Sequence, residues 1–136
     1  MPSMKIRRNS SITIQSAYPK FSGIWLAVRA LGHYSPAMDH HVYFWLKEEF
    51  QNDVDRATFE QGLAALFEID LVAGGRWAIP AKVMVRPVID QSWDYALTMQ
   101  FNTIEEHDAY QIDPDHHIFI NTFKEWWAQV QVKDLA

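Results

Sequence analysis

The sequence predicts an α+β domain, one antiparallel sheet with helices on one face, in the order β-α-β-β-α-β. Three observations carry this reading. Alternating apolar strands open and close the acidic part of the chain, at residues 40–47 and 129–135. A further alternating strand, residues 93–101, runs directly into a helix start signal at Thr103. Apolar residues at helical spacing mark two helical intervals, around Phe59 and around Phe119.

The bulk properties bound the problem. A chain of 136 residues accommodates one domain with a modest core. Hydrophobic residues at 49% and charged residues at 21% suit a globular protein. Aromatics at 14%, six of them Trp, exceed what the surface of a small domain can carry, so they belong in a core, a pocket or a subunit interface. With no Cys, disulfides, thiolate metal sites and a Cys nucleophile are excluded. No apolar run approaches the ~18 residues of a membrane helix, so no membrane partner is expected.

Charge divides the chain. Residues 1–38 hold Lys5, Arg7, Arg8, Lys20 and Arg29 and no acid, a sum of +5. Residues 39–136 hold the other seven bases and all seventeen acids, a sum of −10. An acidic body argues against a nucleic-acid surface, which needs clustered Lys and Arg. The N-terminal stretch is basic and Ser-bearing, and Pro19 and Pro36 interrupt it. It reads as a poorly ordered extension or as a targeting leader. The domain is expected to begin near Asp39, in the cytoplasm if no leader operates.

Taken in order, residues 40–47 read HHVYFWLK. His41, Tyr43, Trp45 and Lys47 share one face, and Val42, Phe44 and Leu46 the other. Both faces are largely apolar, so both sides of the sheet are expected to be covered, one by helices and one by a second copy. The first face is expected towards the helices. The open face would then carry Val42, Phe44, Leu46 and Ala96. Its burial is favourable at about 25 cal/mol per Å² of apolar surface. Asp53 or Asp55 is placed to cap the first helix, whose stripe is Phe59, Leu63, Leu66 and Phe67. Gly74-Gly75 marks a turn before a second strand at 76–85, weakened by Pro80. In the third strand Trp93, Tyr95, Leu97, Met99 and Phe101 share a face. Thr103 and Glu106 form a capping box for a helix ending near Gln111. Asp113-Pro114 supplies an N-cap and a Pro at the first position of the next helix. There His116, Phe119, Phe123, Trp126 and Trp127 keep helical spacing. This is the ferredoxin-like split βαβ arrangement.

The stretches SWDYALTMQF, AYQIDPDHHIF and WWAQVQVKDL, with the opening strand HHVYFWLK, resemble the Dabb family, the stress-responsive dimeric α/β-barrel domain. The resemblance spans residues 39–135, and its most specific part is Pro114, His116 and Phe119. It implies a ferredoxin-like protomer that dimerises by stacking sheets into a barrel. A plant member of the family is a polyketide cyclase that closes a ring by intramolecular aldol condensation. The resemblance places that enzyme's catalytic His on His116, its catalytic Tyr on Tyr110 and a pocket-lining first-strand His on His41. A second pocket His of that enzyme corresponds to Tyr95, a departure that bears on substrate.

The residue chemistry is compatible with these roles. An imidazole titrates near neutral pH and can take a proton from a carbon beside a carbonyl. A phenol can hydrogen-bond the developing enolate oxygen. The bland alternative is that His116 packs on the apolar stripe of its helix. Tyr43, Trp45, Tyr95, Leu97, Phe119 and Trp127, with Val130 and Val132, are expected to line the space between sheet and helices, as a pocket for an apolar or aromatic molecule or simply as core. His40 reads as a strand-end residue and His107 as solvated. With no HExxH motif, no metal site is expected and no cofactor is assigned. Three functions follow in order: a proton-abstracting or cyclising homodimer, a non-catalytic ligand-holding dimer, and a haem-binding barrel with His116 as axial ligand.

Overall fold

The computed structural model describes residues 37–136. The basic extension read as a leader or tail lies outside the described residues. Strand β1 (Met38–Leu46) leads through a short 3-10 turn (Glu48–Phe50) into helix α1 (Asp53–Leu66). Strands β2 (Gly74–Ala78) and β3 (Tyr95–Phe101) follow, then helices α2 (Ile104–Gln111) and α3 (Pro114–Phe123). A second 3-10 turn (Lys124–Trp126) enters strand β4 (Trp127–Leu135). The sheet order is β2-β3-β1-β4 with every neighbouring pair antiparallel. This is the predicted ferredoxin-like α+β topology. Among the described residues no helix is long and apolar enough to cross a membrane.

Local signals account for the helix boundaries. Thr103 Oγ1 accepts from the Glu106 backbone N–H at 3.0 Å, closing the first turn of α2. Asp113 Oδ1 does the same for α3, accepting from Asp115 N–H at 2.8 Å, with Pro114 at the start. At α1 the cap is Asn52, not Asp53 or Asp55; its side chain accepts from Asp55 N–H at 2.9 Å. Both Asp residues instead lie in the first turn, where their charge complements the helix dipole.

The core lies between the sheet and α1 and α3. Phe59 and Leu63 of α1 are fully buried. Phe59 meets Phe44 of β1 edge to face at 5.3 Å and Phe123 of α3 at 5.1 Å. The two helices approach closely at Gly62, where a Cβ would stand 2.3 Å from the Phe123 ring. Trp126 stacks on Phe50 at 4.6 Å and meets Phe123, which seals the end of the core.

The β1 faces are opposite to the expectation. Met38, His40, Val42, Phe44 and Leu46 are buried beneath the helices, while His41, Tyr43 and Trp45 lie half exposed on the open face. The pairings fix this parity, because Val42 sits opposite Leu97 and Tyr43 opposite Ala96. The physical reason is polarity. Val42, Phe44 and Leu46 carry no polar side-chain atom, whereas the Trp45 indole N–H needs a partner and finds Ser92 Oγ at 3.0 Å on the open side.

Strand β2 is also shorter than the expected 76–85. Pro80 cannot donate to the ladder, and residues 79–94 form an irregular loop. That loop returns to the open face. At its end Asp94 is tied to β1, its N–H donating to the Phe44 carbonyl at 2.8 Å and its carboxylate accepting from Leu46 N–H at 2.8 Å and from Arg56 of α1 at 3.0 Å. Regular alternation starts only at Tyr95, so Trp93 departs from the expected face and packs against Tyr43 at 5.4 Å.

Gly75, the second residue of β2, has φ 116°, and a Cβ there would lie 1.8 Å from the Thr98 carbonyl oxygen. Gly75→Ala is therefore expected to cost about 2 kcal/mol or more. A urea titration of both proteins measures this; equal midpoints would contradict the close β2–β3 approach.

Candidate functional site

The site grows from the turn between α2 and α3. The Asp113 N–H donates to the Tyr110 carbonyl at 3.1 Å, and Asp113 then caps α3. This reversal brings two residues six positions apart into contact. The His116 ring stacks on Tyr110 with centroids 4.2 Å apart and planes inclined by 25°. Both line a cleft of about 210 Å³ between the sheet and the helices. Its walls are apolar, with Val42 and Phe44 from β1, Leu97 from β3, Phe119 and Ile120 from α3, and Trp127, Val130 and Val132 from β4.

A further ring closes one end. His40 of β1 lines the same cleft, 6.1 Å from the Tyr110 ring. Its Nδ1 lies 2.5 Å from Asp134 Oδ1, on the residue directly opposite it in β4. His107 of α2 packs beside it, with ring centroids 5.0 Å apart.

Electrostatics follow from burial. Burial lowers the His116 pKa below its ordinary 6.5; His117 and His40 act in the same direction, and the Gln111 and Tyr110 carbonyls oppose them. Burial also lowers the His40 pKa and outweighs the hydrogen bond to Asp134, whose side chain is 43% exposed and well screened. His40 is therefore a neutral imidazole donating Nδ1–H to Asp134, not the cation of an ion pair. Burial raises the Tyr110 pKa, with Asp113 adding to the effect, so its hydroxyl keeps its proton. His116 Nδ1 is buried and makes no well-formed hydrogen bond, although the Gln111 and Tyr110 carbonyls lie near the ring. An orphaned buried nitrogen is costly, and a polar ligand atom would satisfy it.

The expected site residues divide. His116, Tyr110, Leu97, Phe119 and Trp127 share the cleft. Tyr95 faces the same side of the sheet but lies deeper, under α1. Its hydroxyl donates to Glu60 at 2.6 Å, and burial with that hydrogen bond pushes its pKa up to about 12. His41, Tyr43 and Trp45 are on the open face and do not reach the cleft. In their place stands His40, which the sequence reading set aside. His107 is not solvated either; its side chain is 14% exposed. Its position was legible, since it falls three residues before buried Tyr110 on one helix face. Asp134 shares parity with Val130 and Val132 on β4, a signal also present in the sequence. A second groove of about 280 Å³ between α1 and α3 is larger, but its lining holds no His or Tyr.

The depressed imidazoles make stability depend on pH. Between their lowered folded pKa values and 6.5, the unfolded chain binds more protons than the folded one. Stability is therefore complete above about pH 6.5 and falls as pH drops through the folded values. Urea midpoints are expected to fall from pH 7.5 to pH 5, and by less in His116→Phe. An unchanged pH dependence in the variant would remove His116 from the buried neutral set.

Comparison with known proteins places the fold. A search of curated proteins finds no relative. Solved structures with the same fold include a Dabb family protein from Mesorhizobium loti, 19% identical, TM-score 0.59, covering 74% of this chain and 95% of that one. A dimeric ferredoxin-like protein from Bacteroides fragilis is 18% identical with TM-score 0.57, covering 74% and 96%. The hydroxynitrile lyase from Passiflora edulis is 13% identical with TM-score 0.59, covering 72% and 90%. The family profile of the stress responsive A/B barrel domain matches residues 38–136, and the chain belongs to that family, Dabb.

Proposed function

We propose that the chain works as a homodimer in which each protomer binds a small apolar or aromatic carbonyl compound in the His116–Tyr110 cleft. There it abstracts a proton from the carbon beside the carbonyl. The observation that carries this is the stacked pair itself, a part-buried imidazole whose buried Nδ1 makes no hydrogen bond, beside a protonated phenol in an apolar cleft. His116 takes the proton, and the C–H electron pair moves onto the carbonyl oxygen as an enolate. Tyr110 hydrogen-bonds that oxygen. In a ligand with a second carbonyl, the enolate carbon would attack it and close a ring; the resulting alkoxide would recover the proton from His116. This is the polyketide-cyclase-like form of the reaction. The cleft suits an aromatic ring or short acyl chain better than a macrocycle, which favours this reading over haem.

The open face supports the dimer. Tyr43 and Trp45 remain half exposed there, and β4 is exposed along nearly its whole length. The adjacent loop leaves Met84, Val85 and Val88 at 83%, 89% and 90% exposure, an apolar set that a second copy would cover. Relatives described as dimeric, such as the Bacteroides fragilis protein, agree with this.

Proton abstraction is read without knowing the natural substrate, by NMR of deuterium exchange at the central carbon of a small aryl β-diketone in heavy water. The protein is expected to accelerate exchange, and His116→Phe to lose about 100-fold of the acceleration. Tyr110→Phe should lose roughly 10- to 100-fold, because an oxyanion donor is removed. Binding of the diketone with no acceleration, or equal rates in His116→Phe, would leave a ligand-holding dimer and end the catalytic assignment.

A further inference from the structure

The proton-abstraction scheme makes no use of His107 or Asp134, yet these residues and His40 converge. One ligand atom from each lies within 4.8 Å of the other two. We propose that His40, His107 and Asp134 form a binding site for a divalent transition-metal ion of the Zn(II), Co(II) or Ni(II) class. The site stands independently of the proposed reaction.

Three features of the cluster support it. Its donors sit on regular elements. His40 and Asp134 are direct cross-strand neighbours, and His107 comes from a helix whose start is fixed by the Thr103 cap. Its tautomer is suitable. His107 Nδ1 is 3.1 Å from the Asp108 carboxylate and donates to it, which leaves the Nε2 lone pair facing Asp134 at 3.7 Å. The Gln111 side-chain amide already approaches that Nε2 at 3.2 Å, the contact expected of an acceptor nitrogen. The carboxylate that orients a ligating imidazole is a usual outer partner in metal sites. Finally, the site has an entrance, a shallow cleft beside Met38, Ile104 and Leu135 that reaches Asp134, while His40 is buried on the other side.

The donor set selects the ion. Two imidazole nitrogens and one carboxylate oxygen suit zinc-like ions, whereas Mg²⁺ and Ca²⁺ prefer all-oxygen sites. Metal–ligand bonds of about 2.0–2.2 Å require ligand atoms roughly 3.3 Å apart in a tetrahedron. The His40–Asp134 contact at 2.5 Å must therefore open by about 1 Å. His107 must close slightly, and the Gln111 amide must release the His107 Nε2 it now contacts. His40 would bind through Nδ1, its proton moving to Nε2 on the cleft side. Three protein ligands leave one position open to solvent or to a small ligand.

The test is calorimetric titration of the full, untagged chain with Zn(II), with Co(II) visible absorption as a second readout. One ion per chain is expected, together with the intense d–d bands of tetrahedral Co(II). His107→Gln and Asp134→Asn should each weaken binding by about tenfold or more and erase those bands. His117→Gln, at an exposed neighbouring imidazole, should bind as the parent does. If His107→Gln does not fold, Asp134→Asn gives the same reading from a partly exposed position. No stoichiometric ion in the parent chain, or undiminished binding in the folded His107 or Asp134 variant, overturns the proposal.

Discussion

Strand β1 lies at the centre of the sheet, and its alternation sorts the molecule into two sides. It is hydrogen-bonded to β3 on one edge and to β4 on the other, so its register is held twice. A slip by one residue would transfer every side chain to the other face. The cost would be large, because Val42, Phe44 and Leu46 would exchange places with Tyr43, Trp45 and Lys47. The parity that results puts His40 under the helices, opposite Asp134 and beside Tyr110. It also puts Tyr43 and Trp45 on the open face. The cleft and the exposed aromatic face are therefore two consequences of one constraint.

The chemistry of the cleft depends on how little water reaches it. Burial is the largest influence on His40, His116 and Tyr110 alike, and it acts against charge in each case. A site of neutral imidazoles and a neutral phenol is suited to moving a proton rather than to binding an anion. Asp134 is the partial exception. It is half exposed, and it contacts His40 from the outer end of the same ring row. The row from His107 through His40 and Tyr110 to His116 thus has its two buried rings in the middle and a part-buried imidazole at each end.

Much of this was legible in the sequence, and the parts that were not share a cause. The Thr103 cap and the Asp113-Pro114 start mark helix ends through local hydrogen bonds, although the Glu106 half of the expected capping box does not form, its Oε1 being buried without a partner. The pairing of Tyr110 with His116 was implied by the family resemblance, and the turn between those two caps is what brings the rings together. The face of β1 did not, because both of its faces are apolar and alternation alone cannot choose between them. The distinguishing feature was finer: one face is purely hydrocarbon apart from His40, and the other carries an indole N–H, a phenol and an ammonium. Misassigning that parity displaced His41, Tyr43 and Trp45 into the cleft and left His40 out. His107 and Asp134 become neighbours only through packing of α2 beside β1 and β4, which strand and helix periods do not encode.

Strand β1 divides the His116–Tyr110 cleft on one face from the half-exposed aromatic face proposed for self-association on the other. A native mass spectrum of the full chain at low micromolar concentration tests it most directly. The account predicts a dimer, reduced to monomer by Trp45→Glu on the open face and unaffected by His116→Phe in the cleft. A monomeric parent chain, or a dimer that Trp45→Glu leaves intact, would contradict the assignment of the two faces.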